Sequence, residues 1–126
     1  LDAGTEKLDA APGLTLYVAG PMTGIEDFNR PAFGAAALRL RRAGYTVLNP
    51  GRLPAPVPDP DWADWMRQAL RMMLDADGVA MLPGSESSRG AALERRVAVE
   101  LGIPVRTVPA WLTLAGQSAY MERLRA

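Results

Sequence analysis

The chain has 126 residues, 14 acidic side chains against 14 basic ones, and no net charge. That length suits one domain with a real core, and the lack of any basic run excludes a nucleic-acid polymer as the natural partner. There is no histidine, no cysteine and a single lysine, Lys7, which excludes Ser-His hydrolysis, thiolate chemistry and the common zinc sites and argues against a Schiff base or a Walker phosphate loop.

Residues 1–13 lack periodicity and carry Gly4, Pro12 and Gly13, the pattern of a tail. Leu14 to Ala19 is a continuous apolar run broken only by Thr15, as expected of a strand buried on both faces. It runs into a loop, Gly20-Pro21-Met22-Thr23-Gly24. Asp27 or Asn29 can cap the helix that follows, with Pro31 in its first turn, Phe33, Ala36, Ala37 and Leu40 facing inward, and Gly44 closing it. Tyr45 to Leu48 reads as the second strand. Asn49 to Pro60 carries Pro50, Pro54, Pro56, Pro58 and Pro60, so it is read as a stiff surface loop placed to form a rim. Asp59-Pro60 is expected to start the second helix, with Trp62, Trp65, Met66, Ala69 and Met73 at core spacing. Its Trp and Met side chains are read as packing rather than as a ligand cage.

Val79 to Leu82 is the third strand, followed by Pro83-Gly84, a polar loop from Ser85 to Gly90, and a helix to about Leu101. A strand, a small-residue turn and a helix start make an anion-binding corner, because the free N–H groups and the positive dipole end favour negative charge. Ser87, Ser88 and Arg89 add donors there. The plainer alternatives stay open: Ser88 as a helix cap only, and Arg89 as a surface charge. At about 100° per residue, Gly90, Leu93, Val97, Ala98 and Leu101 share one side of this helix, and Glu94 falls inside that stripe. A carboxylate on a packing face costs free energy unless it is paired or faces a cavity. Glu94 is therefore a site residue. Ile103 to Val108 is the fourth strand, and Pro109 to Ala126 supplies at least one more helix, expected to cover an edge.

Strands and helices alternate with short links, which gives a three-layer α/β/α domain: a Rossmann-like parallel sheet of four or five strands with helices on both faces. Ligands then bind at the carboxyl ends of the strands. Three loops meet there: 20–29, 49–60 and 83–90. No apolar run is long enough to span a bilayer and no signal-peptide pattern is evident, so no membrane partner is expected. The absence of cysteine fits the cytoplasm. No cofactor or metal is called for. Chemistry must come from carboxylates, tyrosines, hydroxyls, arginines or the backbone.

Leu16-Tyr17-Val18-Ala19-Gly20-Pro21-Met22-Thr23-Gly24, then Asn29 and Pro31, Asn49-Pro50, Leu82-Pro83-Gly84, Ser88-Arg89-Gly90-Ala91 and Leu93-Glu94 together resemble small, often phage-borne, proteins of the nucleoside 2-deoxyribosyltransferase superfamily. The resemblance implies chemistry at the N-glycosidic bond of a nucleoside or nucleotide. It implies Glu94 as the nucleophile on the anomeric carbon, Tyr17 as the residue orienting it, and Ser88 as a 5′-phosphate contact. The sugar and phosphate site would draw on Gly20, Pro21, Met22, Asn29, Gly84, Ser87, Ser88, Arg89 and Gly90. It also implies a homodimer or larger homo-oligomer. Many of the group have a tryptophan where this chain has Ser85. Where they carry an aspartate in the second helix to assist the departing base, this chain has Ala69, which leaves Glu26 or Asp27 of the first loop, a neighbouring subunit, or nothing effective for that task. Three functions are carried forward: an N-glycoside hydrolase or transferase, a non-catalytic module binding a nucleotide-like ligand, and a looser relative of phosphoribohydrolases.

Overall fold

The computed structural model of the chain describes residues 13–125. The expected tail lies outside the described residues except for Gly13, whose N–H donates to Gly44 O at 3.0 Å. Four strands, β1 (Thr15–Ala19), β2 (Thr46–Leu48), β3 (Gly78–Met81) and β4 (Val105–Thr107), alternate with helices α1 (Arg30–Arg42), α2 (Trp62–Met73), α3 (Arg89–Glu100) and α4 (Val108–Arg125). The sheet order is β2-β1-β3-β4, with every pairing parallel. This is the expected three-layer α/β architecture. Among the described residues, no helix is long and apolar enough to cross a membrane.

The pleat sorts the two cores. Leu16 and Val18 point to one side of β1, where they pack with Phe33, Ala36, Ala37 and Leu40 of α1 and Trp111 of α4. Tyr17 and Ala19 point to the other side, with Met73 of α2, Val79 of β3 and Ala98 of α3. The site therefore belongs to the α2/α3 face. The expected edge-covering role of the last helix is corrected: α4 lies on the sheet face beside α1. Trp111 anchors it there, fully buried, its indole N–H donating to Val79 O at 2.9 Å and its own carbonyl accepting from the Tyr45 hydroxyl at 2.7 Å.

Three local expectations change as well. Helix α2 starts at Asp61, not at Asp59-Pro60: Asp61 and Asp64 form a reciprocal capping box, while Asp59 sits in the left-handed region at φ 51°. Asn29 takes the N-cap position of α1 but its side chain makes no capping bond, and Asp27 does not cap the helix either. Asp27, Phe28 and Asn29 all adopt left-handed backbone (φ 52°, 51° and 61°), and their polar side chains bond elsewhere. At the end of α3, Leu101 is 59% exposed, so it does not belong to the buried stripe of that helix.

Candidate active site

β1 and β3 lie side by side, with Ala19 paired to Met81. The chain leaves β1 towards β2 on one flank, and β3 towards β4 on the other. Their carboxyl ends thus form the point where strand order reverses, the natural crevice of an open parallel sheet. A cavity of about 350 Å³ opens there. Gly20 lets the first loop cross the end of β3, since a Cβ at that position would come 2.8 Å from the Leu82 side chain.

Glu94 and Tyr17 meet in this cavity. Tyr17 is wholly buried and Glu94 is 5% exposed, and the tyrosine hydroxyl donates to Glu94 Oε2. Their meeting follows from register: Tyr17 points to the α3 face, and Glu94 lies between Ala91 and Ala98 on the buried side of that helix. Burial pushes the Glu94 carboxyl up to about 7, against the smaller opposing pull of the Tyr17 hydrogen bond. The Tyr17 hydroxyl is raised well above its ordinary value, first by burial and then by the neighbouring carboxylate. It therefore stays protonated and serves as a fixed donor. The arrangement can hold one carboxylate oxygen in place and present the group, poised between its neutral and ionised forms, to a ligand.

Of the residues expected at the site, Tyr17, Gly20, Met22, Ser88, Gly90 and Glu94 line the cavity. Pro21, Asn29, Gly84, Ser87 and Arg89 do not. The Asn29 amide donates to Pro21 O at 2.9 Å and braces the first loop from behind. Gly84 makes the turn at φ 84°, and the exposed Ser87 hydroxyl donates back to its carbonyl at 3.0 Å. Ser88 caps α3 by accepting from Ala91 N–H at 3.2 Å, and it lines the cavity as well. Arg89 is exposed, and its guanidinium stacks 3.5 Å from the centroid of the Trp62 ring. Ser85 turns inward and donates to Leu82 O.

Other lining residues were not expected at the site. Trp62, Trp65 and Met66 line the cavity: Trp65 is 38% exposed, so packing alone does not describe it, whereas Met66 is buried and packs against α3 as expected while also facing the cavity. Ala69 shares their helix face and lines it too. Phe28, 56% exposed, and Arg30 contribute from the first loop and α1. Arg30 ties the loops together, donating to Asp27 Oδ1 at 3.0 Å and to Gly51 O at 3.2 Å. The rim expected from the proline-rich loop is present in Pro50, Gly51, Leu53 and Pro60. Neither Glu26 nor Asp27 lines the cavity. The acids that do are Glu94 and Asp61, and the Asp61 carboxylate is engaged in capping α2. Among the described residues, no group of three or more His, Cys, Asp or Glu side chains converges as a metal site would require.

The sequence model of one family, described as Domain of unknown function (DUF4406), matches residues 14–107. The chain belongs to that family. The DUF4406 match takes in all four strands, the Tyr17–Glu94 pair and every residue that lines the cavity, and stops before α4. Comparison with curated proteins and with solved structures gives no significant match.

Proposed function

We propose that this DUF4406 protein breaks or transfers the N-glycosidic bond of a (deoxy)nucleoside 5′-monophosphate or nucleoside, with Glu94 as nucleophile. The observation that carries this reading is the buried Glu94 carboxylate, held by the Tyr17 hydroxyl, at the wall of a cavity of ligand size. The resemblance to the nucleoside 2-deoxyribosyltransferase superfamily supports it, since these two residues are the ones that resemblance picks out. The sugar carbon develops positive charge as the base departs, and a carboxylate beside it stabilises that charge and can bond to it.

In the first step a Glu94 oxygen bonds to the anomeric carbon, and the C–N bond breaks with its electron pair going to the base. In the second, water displaces Glu94: its hydroxyl stays on the sugar and its proton balances the one taken up by the base. Another base in place of water makes the reaction a transfer. The Ser88 hydroxyl, the start of α3 and the nearby Arg89 suit a phosphate. The apolar wall of Trp62, Trp65 and Phe28 suits a planar base.

One observation favours a second reading. Ala69 lines the cavity where an acid would assist the departing base, and Asp61 is occupied as a cap. A module that binds the nucleotide without turning it over would look the same. Free-base release from a panel of nucleosides and 5′-monophosphates separates the two. Hydrolysis or transfer requires release by the wild type and its loss in Glu94→Gln, with ligand affinity kept. Binding without release in either protein assigns the module.

A further inference from the structure

Arg89 is an exposed cation, and among the described residues no ion pair to it is formed. Its guanidinium lies instead on the Trp62 indole at 3.5 Å. Trp62 is the first residue of α2, fixed by the capping box at Asp61, and Arg89 is the first residue of α3. The stack joins two helix starts at the cavity, which Trp62 and Ser88 both line. An exposed arginine ordinarily loses rotamer freedom when it grips a ligand. Stacking removes that freedom beforehand, and because it uses the planar face, the N–H donors at the edge of the guanidinium stay open.

We infer that Trp62 is a positioning residue for Arg89: the indole holds the guanidinium beside Ser88, where its N–H edge takes the phosphate monoester of a ligand seated in the cavity. This rests on the nucleotide reading above and deepens it. Lysine could not substitute, because an ammonium has no planar face to stack and no fork to offer.

The test is calorimetric titration of the full chain with a deoxynucleoside 5′-monophosphate and with the matching nucleoside, repeated in Glu94→Gln so that ligand is not consumed. The quantity read is the ratio of the two affinities, which cancels whatever Trp62 does for the base or sugar. Trp62→Leu should lower the phosphate preference by about threefold to tenfold, Trp62→Phe should keep most of it, and Arg89→Lys should lose it as Trp62→Leu does. When Arg89 is already Met, Trp62→Leu should change the ratio no further. A ratio indifferent to Trp62→Leu, or one that falls equally with Arg89 absent, overturns the inference and makes Trp62 a wall for the base. If melting shows that Trp62→Leu does not fold, Arg89→Lys with an unchanged ratio overturns it instead. Failure of both ligands to bind sinks the functional reading itself, whereas binding with a preference indifferent to the stack sinks this inference alone.

Discussion

Glu94 is a carboxylate held where water reaches it poorly, and two pH dependences follow. The nucleophile proposed above acts ionised, so under that proposal turnover should rise with pH through about 7. A profile of kcat/KM against pH that is already flat by pH 5 would contradict this. Stability runs the other way. The unfolded carboxyl titrates near 4.5 and the folded one near 7, so between those values the folded protein keeps a proton that the unfolded chain has lost. The stabilisation from this group is whole below pH 4.5 and is lost as pH rises through about 7, an effect on the order of 3 kcal/mol. Glu94→Gln removes the dependence, so the variant should melt higher than wild type at pH 8 and close to it at pH 4.5. Ala69 gives a second test at this scale. It lines the cavity half-buried among Trp65, Met66 and Gln68, so under the proposed reaction Ala69→Asp should place an acid near the departing base. Base release should then rise by up to about 10²–10⁴. Lost stability with no gain in release would mark the position as packing.

At the scale of elements, β3 and α4 depend on one missing side chain. A Cβ on Gly78 would lie 2.6 Å from Trp111 Cζ2 and 3.0 Å from a Leu16 methyl, both within the core. Gly78→Ala should therefore cost about 1–3 kcal/mol through overpacking, read as a fall in melting temperature. The damage would lie on the α1/α4 face, across the sheet from Glu94, so the surviving folded fraction should keep its ligand affinity. Helix α3 carries the opposite kind of detail. Gly90 brings its first turn against α2, where a Cβ would meet Met66 Sδ at 3.0 Å, and this close approach puts Ser88 and Glu94 on the same cavity wall as Ala69.

Across the whole molecule, the family match and the folding unit do not coincide. The match ends at Thr107, yet Val108, Trp111 and Ala115 of α4 are buried in the core with α1. Trp111 also donates a hydrogen bond to β3 and accepts one from the Tyr45 hydroxyl. A chain ending at Thr107 would keep α1 on that face but lose the α4 layer beside it, opening the core around Gly78, where Trp111 packs, to water. Circular dichroism should show that it lacks the cooperative melt of the full chain. An intact transition at the same temperature would mean that α4 is an appendage.

Much of this was legible in the sequence because its causes are local. The order of strands and helices follows from apolar runs and periodicity, the rim from prolines that forbid regular structure, and the inward placement of Glu94 from its position among Leu93, Val97 and Ala98. Tyr17 alternates with Leu16 and Val18, which fixed that it faced a helix layer but not which one. Other features were decided only by packing. A helical stripe reports distance from water, and it is the same stripe whether core or cavity lies opposite, so Trp62, Trp65 and Met66 read as packing until the β2-β1-β3-β4 order placed the crevice against them. The Arg89 stack joins two helices that are far apart in the chain, and α4 chose the sheet face over the edge because Gly78 left room there for an indole. No local pattern encodes these choices. They follow from which surfaces the folded sheet leaves to be filled.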